Sequence, residues 1–137
     1  MNEFQRLLRG LGAMFLASAL LGLMPRPKWT VDPALFFYGG PAAVTWAALT
    51  AFVSGLLGGF IGGKGFPVVA LAVDTLIYVV IFGLLHSIAG PGDPVEMREL
   101  VARNIWPFGA SLICVYIGAV VGTRFGARHP RSWSLVR

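Results

Sequence analysis

The chain has 137 residues, of which 56% are apolar and only 12% charged. That charged share is about half the roughly 25% of soluble domains, too little polar surface to cover a protein this small. Composition therefore excludes an ordinary soluble globule and predicts an all-α, polytopic membrane protein. A formal charge of +5 would favour nucleic acid in a soluble chain. Here the cations flank apolar runs, so no nucleic-acid partner is expected. Cys114 is the single cysteine, which excludes an intramolecular disulfide and suits a small packing residue.

Four runs have the roughly 20 residues a helix needs to cross a hydrocarbon core of about 30 Å. The first, Leu7 to Met24, stops at Pro25-Arg26-Pro27. Arg6 and Arg9 ahead of an apolar stretch also fit a signal peptide. The small-residue site Ala17-Ser18-Ala19 falls in the middle of the run, however, so a retained span is expected. After it, Asp32-Pro33 precedes an aromatic segment, Leu35 to Tyr38, and Gly39-Gly40-Pro41 breaks the chain.

The second run, Ala42 to Gly63, and the third, Pro67 to Ala89, are separated only by Lys64-Gly65-Phe66. This spacing predicts a tight antiparallel hairpin. Asp93-Pro94, with Glu96 at a capping-box position, then signals a helix start. Met97, Leu100, Val101 and Ile105 share one face and Glu96, Glu99 and Arg103 another, which predicts a short interfacial helix before the fourth span. That span runs from Ile105 to Phe125. Residues 1–126 are read as a single four-helix bundle and residues 127–137 as a basic cytoplasmic tail.

Orientation follows from Lys and Arg in the short loops. With the amino terminus inside, Arg6, Arg9, Lys64, Arg124, Arg128, Arg131 and Arg137 face the cytoplasm, against Arg26, Lys28, Arg98 and Arg103 outside. The expected location is the cell inner membrane, with both termini cytoplasmic.

Glycines recur every four residues at Gly55, Gly59 and Gly63 on the second span and at Gly118, Gly122 and Gly126 on the fourth. Gly58 and Gly62 form a further row. Residues four apart share a helix face, so each row is a groove where another helix comes close. The spacing does not say whether that helix belongs to the same chain or to a neighbour.

Asp74 is the one charge well inside a run. It lies seven residues into the third, roughly 10 Å deep at 1.5 Å per residue. A carboxylate there costs about 2.5–3.5 kcal/mol on insertion scales and marks a functional candidate. Lys64 and Arg124 are its candidate ionic partners, and Tyr78, one turn away, is a candidate hydrogen-bond donor. Thr45, Thr50, Ser54, Ser111 and Tyr116 suit interhelical hydrogen bonds.

Chemistry of other kinds lacks its residues. His86 and His129 are expected on opposite sides of the membrane, so no metal site of ordinary spacing forms and no cofactor is expected. No nucleophile has a paired base within the spans. The chain resembles the small multidrug transporters in length and four-span layout. Their membrane carboxylate lies in the first span, which here has no acid, so the resemblance carries no activity across. The resulting expectation is a non-enzymatic membrane protein, an accessory subunit or a homo-oligomer packing through its glycine faces. The alternative is a small proton- or cation-linked transporter using Asp74.

Overall fold

A computed structural model describes residues 2–23, 41–88 and 97–128, all helical apart from a short turn and the residue ahead of the first helix. In chain order the helices are α1 (Glu3–Leu23), α2 (Pro41–Gly62), α3 (Phe66–Ile88) and α4 (Met97–Arg128). Each contains a stretch long and apolar enough to cross a membrane.

Local sequence explains most boundaries. Asn2 caps α1 by accepting the Arg6 amide at 3.2 Å. Pro41 and Pro67 sit in the first turns of α2 and α3, where a missing N–H costs nothing. Gly63, at φ +83°, takes the left-handed conformation that stops α2. Its carbonyl then accepts the Phe66 amide at 3.0 Å, closing the predicted hairpin. Arg128 in the last turn of α4 suits the negative end of the helix dipole.

The fourth helix departs from expectation. The sequence divides this region into an interfacial helix and a span, yet α4 is continuous for 32 residues, about 48 Å. Pro107 lies inside it and removes only the one rung its nitrogen would donate. The segment from Met97 is therefore the beginning of α4 rather than a separate element. The aromatic segment at 35–38, the Asp93-Pro94 signal with Glu96, and the tail beyond Arg128 lie outside the described residues.

Packing order follows from which residues meet. Gly10 of α1 lies against Gly58 and Gly62 of α2 while Ser18 meets Ser54, so these two helices are antiparallel. Phe52, Leu56 and Phe60 of α2 meet Gly118, Gly122 and Gly126 of α4 in the same order, so that pair is parallel. Helix α3 returns antiparallel along α4. These directions bring Arg6, Arg9, Lys64, Arg124 and Arg128 to one end of the bundle, with Glu3 the one acid among the described residues there.

The core is small-residued. Met14, Ala51, Phe66, Ala70, Val115 and Ala119 form its buried cluster, and Cys114 packs on its edge. Large apolar side chains such as Leu16, Leu20, Val79 and Leu84 are instead exposed on the bundle's outside.

Candidate functional site

Two glycine seams hold α2 in place. Along the first, a methyl group added at Gly55 or Gly59 would run into the carbonyls of Val115 and Ala119. From the other side, one added at Gly118 or Gly122 would run into those of Phe52 and Leu56, and at Gly126 it would lie 2.7 Å from that of Phe60. The rows interlock, each helix offering glycine to the other's backbone. Only glycine leaves room for such an approach.

The second seam joins α1 to α2. A methyl at Gly10 would lie 2.8 Å from the Gly58 carbonyl oxygen and 2.7 Å from the Phe66 ring. The same ring, fully buried, fills the space left by Gly58 and Gly62. Beside this seam Ser54 donates to the Thr50 carbonyl at 2.6 Å. Its one proton is thereby committed, so in the 2.8 Å contact with Ser18 it is Ser18 that donates. Thr50 bonds back to its own helix, to the carbonyls of Trp46 and Ala47, rather than across to a neighbour.

Gly63 has a different job. Nothing lies against the position its Cβ would take, and its positive φ makes it the cap of α2 rather than a rung of the seam. The remaining rungs are all covered by this chain's own helices.

Asp74 lies between α3 and α4, 9% exposed, and its Oδ2 accepts the Ser111 hydroxyl at 2.8 Å. Tyr78, one turn further along α3, stands near the same Ser111 and Asp74. The Tyr78 ring packs at 4.8 Å between centroids on Phe108 and at 6.0 Å on Phe82. Asp74 thus takes its hydrogen bond from Ser111 of α4, where the spacing within α3 offers Tyr78 as the donor.

Lys64 and Arg124 do not join this cluster. Ser111 and Arg124 are thirteen residues apart on one helix, roughly 20 Å, well beyond the reach of an arginine side chain. Both cations instead line an open groove of about 350 Å³ between α3 and α4, with Pro67, Val68, Tyr116, Val120, Thr123 and Ala127. Among the described residues no three His, Cys, Asp or Glu stand close enough to hold a metal ion.

The arrangement can pack helices without side chains between them, hold a carboxylate in the bundle on a neutral hydroxyl, and line a groove at one end with two cations. No family model, curated protein or solved structure matches the chain.

Proposed function

We propose that the protein is a non-enzymatic inner-membrane protein with four spans and both termini in the cytoplasm, serving as an accessory subunit or a homo-oligomer. The observation that carries this reading is the backbone-close seam between α2 and α4. Backbone contact along two parallel helices favours a rigid scaffold over a conducting path between them. Cations gathered at one end of the bundle support the orientation, since cytoplasmic loops carry the excess of Lys and Arg. The glycine rows are engaged within the chain, so a partner or second copy packs on the outer apolar faces of α1 and α3.

The detergent-solubilised protein tests this directly. Its mass should be a multiple of 14.7 kDa, or it should copurify with a stoichiometric membrane partner. A monomer that copurifies with nothing overturns the reading.

A second reading, a small proton- or cation-linked transporter, is favoured by Asp74, a carboxyl buried in the bundle on the hydroxyl of Ser111. Asn accepts the Ser111 hydrogen bond as Asp does but cannot carry a charge or release a proton. Asp74→Asn should therefore keep the fold in either case. A transporter would lose proton-coupled flux in reconstituted vesicles; unchanged flux would exclude it.

A further inference from the structure

The groove between the start of α3 and the end of α4 brings two cations together above apolar walls. Lys64 stands on one wall, in the turn ahead of α3, and Arg124 on the other, with Thr123 beside it. Among the described residues no acid lines the groove. Below the cations its walls are apolar, Val68 and Val120, and it reaches Tyr116, eight residues and roughly 12 Å down α4 from Arg124. One end of the groove therefore carries two cations, one from each side. The rest is an apolar channel open along its side.

An occupant that suits both parts has an anionic head and an apolar tail. We propose that this groove is a binding site for an anionic phospholipid, its phosphate between Lys64 and Arg124 and an acyl chain along Val68, Val120 and Tyr116. Long cationic side chains at a helix end extend their stems along apolar surface and hold their charge at headgroup level. In the proposed orientation that level is the cytoplasmic leaflet, where anionic headgroups attract nearby cations. Two cations from different elements, one on each wall, fix the phosphate's position in a way a single basic tail does not. The Thr123 hydroxyl already gives its proton to the Ala119 carbonyl. Phosphate binding thus rests on the two cations.

The proposal rests on the membrane-spanning reading, and one experiment separates the two. Full-length protein in a neutral detergent is titrated with phosphatidylglycerol, phosphatidylcholine or inorganic phosphate, and lipid retention is counted by native mass spectrometry. Phosphatidylglycerol should be retained in preference to phosphatidylcholine. Lys64→Ala and Arg124→Ala should each weaken retention about fivefold, and the double variant roughly 30-fold, from about 1 kcal/mol per cation. Val120→Trp, which fills the apolar channel and leaves both cations, should also lower it. Arg6→Ala, a cation at the same end but outside the groove, should leave it unchanged.

Equal retention of the two lipids overturns the proposal, as does a double variant that binds like wild type. A loss in Arg6→Ala as large as in Arg124→Ala would reduce the effect to general charge at that end. Competition by inorganic phosphate as strong as by the lipid would make it an anion site without a lipid tail. Protein that stays monodisperse in water without detergent would instead overturn the membrane reading itself.

Discussion

Removing the Ser111 hydroxyl leaves the Asp74 carboxyl without the hydrogen bond that satisfies it. A lost bond of this kind costs about 1–3 kcal/mol. Ser111→Ala should therefore lower the thermal or denaturant stability of the solubilised protein by that amount, and Ser111→Thr should recover part of it. In a double-mutant cycle Asp74→Ala and Ser111→Ala should be strongly non-additive, while Asp74→Ala and Arg124→Ala should add. Coupling of Asp74 to Arg124 instead would mean the groove and the polar cluster are one site. Asp74 stands out in the sequence because a charge in an apolar run is conspicuous. Its partner does not, because spacing along a helix gives depth but not which way the facing helix is turned. Arg124 attracts attention by its charge and Ser111, among several hydroxyls, does not. Only the rotation of α4 puts Ser111 opposite the carboxylate and Arg124 in the groove.

Between elements, the seams decide which residues are replaceable. Gly59→Leu or Gly122→Leu drives a side chain into a facing carbonyl and should cost about 1–3 kcal/mol or more, as overpacking does. Leu57, on the open side of α2 at 41% exposure, should accept Ile with little change in stability. Intact bundles with both bulky substitutions would refute the seams. Four-residue spacing made the rows visible in the sequence. It could not separate Gly63 from them, because a residue that ends a helix keeps the same count as one inside it. Nor could spacing name the helix that fills each groove. The separate helix expected before the fourth span failed for a related reason: a face pattern over residues 96–105 fits the beginning of a long helix as well as a short one, and Pro107 alone does not end it. Here α4 runs through that proline.

At the scale of the whole molecule, helix directions gather the described cations Arg6, Arg9, Lys64, Arg124 and Arg128 at one end. If that end is cytoplasmic, a carboxy-terminal green fluorescent protein fusion should fluoresce and an alkaline phosphatase fusion should be inactive. The opposite pair of results would invert the orientation. The four apolar helices and the approximate limits of the first three could be read from the sequence, since run length and hydropathy act locally. The arrangement of the helices could not, because apolar side chains face lipid and protein alike and α2 shows little preference between its faces. What selects the arrangement is the small-residue surface, where one helix can touch another's backbone.

The parallel pairing of α2 with α4 also sets an order in time. Two parallel helices cannot be consecutive, so α3 must be made and turned back before the partner of α2 exists. Gly55 and Gly59 meet residues sixty positions further on, at Val115 and Ala119. Until α4 arrives, one side of α2 is settled against α1 and the Phe66 ring while the other remains an open backbone groove. A chain halted at the end of α3 would carry that groove uncovered.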